Sequence, residues 1–340
     1  MKRLAIVVAV FAGVSIAHAQ NGLIVGSGNF FSPIVGDLDK AIAFYKDGIG
    51  LDVTGNPANA EENAPLRNMF GLPGASLRWT VARPPQLTGG GRGGVEIVEI
   101  KKADSKPLDR RIQDPGAFTL IVTVRELDPI LMRLKALRAP IVTTGGMPVD
   151  VPFGGRALGV VIKDPDGHFV ELVQAPPAGD APPAGTPNIT GVRVRLTVED
   201  AGQAMREYQE LGLSGTMNVM PTGSAPVMKL LGLKTDAQYR LAQLDVPTSG
   251  LTLELIEFKG VDRRTVRGNI QDPGSTRMQL QVRDVDAAIA ALKTAGGTVV
   301  SSGGATVDLP GRGGAVTKTA IVRDPNNLFL VLIQAQAPGR

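Results

Sequence analysis

Cysteine is absent from this 340-residue chain, which excludes disulfides, a thiolate nucleophile and zinc–thiolate centres. Histidine is nearly as scarce, with only His18 and His168. Aromatic residues make up 4%, and Trp79 is the sole tryptophan. That is too few to build stacking platforms for nucleic-acid bases. Charge of one sign is not concentrated either. The net charge is +4, the basic residues are interspersed with acids, and loss of Lys2 and Arg3 alone would leave about +2. No nucleic-acid partner is expected. What remains is a globular composition, 43% hydrophobic and 20% charged, of two-domain length and rich in turn formers, with 42 Gly and 25 Pro.

Long hydrophobic runs are missing after the N-terminus. Residues 1–20 carry a short basic start, Lys2 and Arg3, then an apolar run from Leu4 to about Ile16, then Ala17-His18-Ala19. A basic start, a short apolar stretch and small-x-small residues read as a cleavable export signal, cut after Ala19. The run is shorter than the ~20 residues a bilayer span needs, so no stable membrane anchor is expected after cleavage. The expected location is periplasmic or secreted. Cleavage would remove His18 and leave His168 as the only imidazole.

The rest of the chain is repetitive. Ile112-Gln113-Asp114-Pro115-Gly116 recurs as Ile270-Gln271-Asp272-Pro273-Gly274. At the same offset Val95-Glu96-Ile97-Val98-Glu99-Ile100 becomes Leu253-Glu254-Leu255-Ile256-Glu257-Phe258. Residues 175–187, rich in Pro, Gly and Ala, read as a linker between the two copies. Each copy divides again into units that open with an apolar strand, pass through an amphipathic helix and end in β-rich stretches. First strands are expected at 29–35, 119–124, 191–198 and 277–282. Helices are expected at 38–47, 127–137, 200–211 and 285–295, with Asp37 as a cap and Gly48 and Gly50 as stops for the first. The order is βαβββ, four times, an α+β fold.

Val35-Gly36-Asp37-Leu38-Asp39-Lys40-Ala41-Ile42-Ala43-Phe44-Tyr45 and Asp164-Pro165-Asp166-Gly167-His168-Phe169-Val170-Glu171-Leu172, set in this four-unit layout, resemble the vicinal oxygen chelate superfamily. That superfamily includes glyoxalase I, bleomycin and fosfomycin resistance proteins and extradiol dioxygenases. The resemblance implies that two βαβββ units pair into one cup-shaped mixed sheet. It thereby suggests two domains, residues 21–175 and 188–335, joined by a linker over 176–187. It also implies a metal in the cup, held by two first-strand and two last-strand side chains, which activates vicinal oxygens as a Lewis acid.

Carried onto this sequence, the first-strand positions are Phe30, Thr119, Arg193 and Arg277. The last-strand positions are Glu96, Glu171, Glu254 and Val331. None is a histidine, and a phenyl ring cannot ligate. The two domains would place Glu96 and Glu171 with Phe30 and Thr119 in one cup, and Glu254 with Arg193 and Arg277 in the other. Two carboxylates and a hydroxyl offer a hard divalent cation (Mn, Fe, Ni, Zn or Mg) an alternative site at Glu96 and Glu171. Two arginines instead suit an anion, or an internal ion pair with Glu254. Glu96 and Glu99 are three apart on one strand, so only one can face a cup. His168 reads as a hairpin residue beside a turn.

Other chemistries find less support. Residues 89–94 match a GxGxxG pattern, but a strand follows instead of a helix, so this stretch and its partial echo at 311–314 read as loops. Three functions stand open from sequence. The first is a small-molecule binding module without a metal or other cofactor, whose ligand is a small organic compound, anionic ones included. The second is a lyase, isomerase or dioxygenase with a carboxylate-held metal. The third is a structural or partner-binding protein with filled cups. Pairing with a second copy as a homodimer also stays open.

Overall fold

The computed structural model describes residues 22–54, 63–85, 93–152, 157–176, 183, 185–310 and 315–335. The expected leader with His18, most of the linker and most of both glycine-rich loops lie outside them. Among the described residues no helix is long and apolar enough to cross a membrane.

The helices begin where the sequence supplies caps. Asp37 Oδ1 accepts the Lys40 N–H at 3.1 Å and starts the helix Leu38–Ile42, which runs on through Ala43–Ile49 with wider, π-type turns. Gly50 ends it with φ +96°, a left-handed conformation that glycine adopts without steric cost. Gly48 is needed for a different reason. A Cβ there would lie 2.7 Å from Leu134 Cδ2, on the helix Asp128–Ala136 of unit two. That close approach also lets Arg133 Nε donate to Gly48 O at 3.0 Å. Asp200 and Asp284 cap Ala201–Glu210 and Val285–Thr294 in units three and four in the manner of Asp37.

The four units have the expected strand order. Unit one contributes Ser32–Val35, Asp52–Thr54, Ser76–Arg83 and Val95–Lys101. Unit two contributes Phe118–Val124, Val149–Val151, Ala157–Lys163 and Phe169–Gln174. Unit three has Ile189–Thr197, Ser214–Met217, Gln238–Val246 and Leu251–Lys259. Unit four has Thr276–Val282, Thr298–Val299, Val316–Arg323 and Phe329–Gln334. Two short helices not read from the sequence, Ala64–Met69 and Ala225–Leu230, sit at equivalent places in units one and three.

The pairing of units differs from expectation. Consecutive units do not share a sheet. Unit one joins unit four in a ten-stranded sheet, and unit two joins unit three in a nine-stranded one. The seams are antiparallel contacts between first strands: Ser32 lies opposite Arg277, and Ile121 opposite Arg193. Both sheets therefore cross the boundary drawn between residues 21–175 and 188–335. The physical reason is that every unit leaves its first strand with a free hydrogen-bonding edge, and each such edge can satisfy any other.

One large apolar cluster unites all four units on the helix side of the sheets, with Phe31, Ile97, Leu120, Leu196, Leu253, Leu280 and Leu330 from the strands and Leu38, Phe44, Ile130, Tyr208 and Ile289 from the helices. Each last strand also reaches the start of its own unit's helix. Glu99 accepts the Leu38 N–H, Gln174 that of Leu127, Glu257 that of Ala201 and Gln334 that of Val285. Each of these side chains stands three residues after a last-strand cup position, on the opposite face, as strand alternation requires.

Candidate functional site

Each sheet has a second face, and this face forms a cup. The sheet of units two and three makes the inner cup. Ile121, Phe169, Val173, Ile256 and Phe258 from its strands meet Val227, Met228, Leu230 and Leu231 from the Ala225–Leu230 region, all buried. Across this apolar filling runs a chain of charges. Arg195 Nη1 lies 2.6 Å from Glu171 Oε2, and its Nε and Nη2 lie 2.8 and 2.7 Å from Glu254 Oε2. Arg193 Nε stands 3.7 Å from Glu254 Oε1, with its side chain one-third exposed. Burial works against the Arg195 charge, but Glu171 and Glu254 outweigh it and hold the guanidinium above its ordinary value.

The outer cup, from units one and four, is built on the same frame with different side chains. Parallel register, with Phe31 beside Val95 and Ile34 beside Val98, places Ser32 beside Glu96 in unit one as Arg195 lies beside Glu254 in unit three, and Gln279 beside Val331 in unit four as Ile121 lies beside Glu171 in unit two. Ser32 and Val331 thus occupy the places that Arg195 and Glu171 hold in the inner cup. Small and uncharged, they leave space. A cavity of about 190 Å³ opens here, walled by Met69, Phe70, Leu77, Trp79 and Ile333, with Glu96, Arg277 and Gln279 among its lining. Leu241 stands at the inner-cup place of Trp79, since each faces the equivalent residue of its last strand, Ile256 and Val98.

The polar groups of the outer cup form one network. Glu96 Oε2 accepts from Arg277 Nη2 and from Gln279 Nε2, each at 3.0 Å, and Glu96 Oε1 accepts from Asn29 Nδ2 at 3.2 Å. The Arg277 guanidinium lies 4.7 Å from the centre of the Phe70 ring. Its Nε hydrogen is buried and meets no acceptor among the described residues. Burial lowers Arg277 below its ordinary value, with Glu96 opposing.

The predicted site residues are accordingly redistributed. Glu96 and Glu171 belong to different sheets, so no cation can bridge them. Arg193 and Arg277 also fall in different cups, and Arg277 pairs with Glu96 instead of Glu254. Arg193 does approach Glu254, but the principal partner of Glu254 is Arg195, which sequence reasoning missed. Thr119 is buried on the inner-cup strand opposite Arg195, and Phe30 packs into the central cluster.

A divalent cation does not fit either cup. In the inner cup a guanidinium already stands between the two carboxylates. In the outer cup the carboxylate of Glu96 is surrounded by N–H donors. No group of three or more His, Cys, Asp or Glu side chains suited to a metal gathers among the described residues.

His168 lies outside both cups. Its Nδ1 is 2.8 Å from Asp164 Oδ2 and its Nε2 is 3.0 Å from the Ser275 carbonyl. Asp164 Oδ2 also accepts the Tyr45 hydroxyl at 3.0 Å. Both ring nitrogens face acceptors. Burial opposes the charge, but Asp164 and the Ser275 carbonyl together raise the imidazole above its ordinary value. The equivalent cluster in the second half joins Tyr208 to Asp324 at 2.7 Å, with Leu328 in the place of His168.

Compared with known proteins, residues 29–172 match the Glyoxalase/Bleomycin resistance protein/Dioxygenase superfamily. No curated protein matches the chain. Among solved structures, glyoxalase I from Zea mays is similar at 21% identity and a TM-score of 0.56, covering 91% of this chain and 92% of that one. A proposed dioxygenase from Bacillus subtilis is similar at 14% identity and a TM-score of 0.51, covering 94% and 87%. At these identities the likeness concerns the fold.

Proposed function

We propose that the chain, whose residues 29–172 match the Glyoxalase/Bleomycin resistance protein/Dioxygenase superfamily, keeps that superfamily's cup as a binding cleft and works without its metal. In this reading it is an exported small-molecule binding module. The outer cup receives the ligand, and the inner cup is a structural half. The observation that carries the reading is the contrast between the cups. One holds a cavity of about 190 Å³ lined by Trp79, Glu96, Arg277 and Gln279 among others. The other is packed with apolar side chains around Glu171, Arg195 and Glu254. For scale, a dry cavity of roughly 150 Å³ accommodates benzene.

Export rests on the N-terminal pattern of residues 1–20. Independence from metal rests on the donor sets: guanidinium groups stand where cations would, and a second positive ion would meet repulsion before attraction. The lyase, isomerase or dioxygenase reading with Glu96 and Glu171 as ligands loses its ligand pair, since the two are in different sheets. The filled-cup reading keeps the inner cup alone.

The test is a thermal-shift screen of small neutral and anionic compounds against the parent protein and Val331→Phe, which fills the outer cavity. Stabilising hits should appear with the parent and vanish with the variant. Chelator treatment should leave them unchanged. Hits that survive V331F would place binding elsewhere. Hits that need added Mn, Fe, Ni, Zn or Mg would refute the metal-free reading.

A further inference from the structure

The ligand class follows from which hydrogen-bonding capacity the outer cup leaves unused. Both oxygens of Glu96 already accept N–H groups, from Asn29, Arg277 and Gln279. The side-chain oxygen of Gln279 accepts the Asn29 backbone N–H at 3.0 Å. Two buried groups here lack a partner among the described residues, the Ser32 hydroxyl and the Nε–H of Arg277, and of the two residues only Arg277 lines the cavity. A buried donor without a partner is costly, and a ligand that supplies an acceptor removes that cost.

Charge decides which acceptor. Arg277 is compensated by Glu96 at 3.0 Å, so the polar floor is close to neutral as a pair. A carboxylate or phosphate placed on Arg277 would gain one attraction and meet the repulsion of Glu96 in a buried setting. An uncharged oxygen gains the hydrogen bond without that repulsion. The walls select the remainder of the ligand. Met69, Phe70, Leu77, Trp79 and Ile333 present apolar and aromatic surface around about 190 Å³, a space of single-ring size.

We propose that the outer cup takes a neutral, ring-sized aromatic or alicyclic compound bearing a carbonyl oxygen, which accepts from Arg277 Nε while the ring packs against Trp79. This rests on the reading of the outer cup as the binding cleft. It narrows the ligand class and disfavours the anionic ligands considered from sequence.

Trp79 is the sole tryptophan and lines the cavity, so its fluorescence reports on occupancy directly. The experiment titrates the full chain with acetophenone and follows quenching of Trp79. Toluene, which has the ring without the acceptor, and benzoate, which has the acceptor with a charge, serve as competitors. Acetophenone should quench saturably, and toluene and benzoate should each bind about ten-fold more weakly. In Arg277→Met/Glu96→Gln, which removes the ion pair as a unit, acetophenone and toluene should become equal. Arg277→Lys keeps the charge opposite Glu96 but has no Nε–H. It should also lose the preference, and it decides the matter if the double variant does not fold.

Benzoate binding more tightly than acetophenone would overturn the proposal. So would a preference for acetophenone that survives R277K. Either result would leave the outer cup standing as a binding cleft. Absence of saturable quenching by every compound, with V331F behaving as the parent, would remove the cleft as well.

Discussion

Arg195 and Glu254 are register partners on adjacent parallel strands, and the Arg195 Nε donates to Glu254 Oε2 at 2.8 Å. Glu171 completes the arrangement from the strand beyond the seam. With Arg193 nearby, two guanidinium groups face two carboxylates. The inner cup therefore balances its buried charge from its own sequence.

Removing Arg195 alone should be severe. Arg195→Met leaves Glu171 and Glu254 buried side by side, and a loss of roughly 3–5 kcal/mol is expected, as for breaking other buried ion pairs. Replacing all three, as Arg195→Met/Glu171→Leu/Glu254→Leu, should recover most of that loss. Urea denaturation of the three proteins measures it. A single variant within 1 kcal/mol of the parent would show that Arg195 does not hold the inner cup.

Asp324 should make the protein less stable as pH rises. Burial raises its carboxyl to about 6, against the opposing hydrogen bonds from Tyr208 and the Leu328 N–H. A folded-state value above the unfolded one means that the protonated form favours folding. The contribution is complete below about pH 4 and disappears as pH passes through about 6. Asp324→Asn should therefore be more stable than the parent at pH 8, by an amount on the order of 2–3 kcal/mol, with the difference vanishing near pH 4. Denaturation midpoints across that range supply the comparison, and parallel curves for the two proteins would contradict the assignment.

His168→Leu copies into the first half the arrangement around Leu328. Asp164 would lose its ring partner while Tyr45 still donates to it. The raised imidazole now stabilises the fold below its ordinary value near 6.5 and loses that contribution as pH rises through the higher folded value. H168L should destabilise most near pH 6 and cost less once the pH exceeds the raised folded value of the parent imidazole. Proton NMR of the His168 imidazole gives the titration directly. A ring that titrates at or below the ordinary value would contradict the buried imidazolium.

Expression of the full sequence in a bacterial host should yield a periplasmic protein whose first residue is Gln20. N-terminal sequencing checks it. Recovery from the cytoplasm with Met1 in place would end the export reading.

The four-unit architecture was legible because turn chemistry repeats. Asp37, Asp200 and Asp284 cap helices, the Asp-Pro turns recur, and strands alternate between them. The partner of each unit was not legible. The first strands 32–35, 118–124, 189–197 and 276–282 all expose an edge of similar apolar character, and nothing local says which edge meets which. That one ambiguity misplaces the pairs drawn across units, while Arg193 and Glu254, both of unit three, do share a cup. The sequence groups Glu96 with Glu171 and Arg193 with Arg277, whereas the sheets separate both pairs. Arg195 left a weak signal, since it stands two residues after Arg193 and therefore shares its face. The relation to Glu254 emerges only with the parallel register. The short helices at Ala64–Met69 and Ala225–Leu230 carried a readable one, Ala-Pro followed by an apolar segment and Gly, at equivalent places in both halves.

The seam between Pro33 and Thr276 ties the earliest unit made by the ribosome to the last. Until the final segment emerges, the leading β-edge has no native companion, while units two and three can already zip together. Maturation is thus expected to proceed from the middle outward, with the outer cup completed only once unit four has emerged. Such late closure of distant segments slows folding and keeps an open edge exposed to strangers, a hazard that chaperoning during biosynthesis would have to cover.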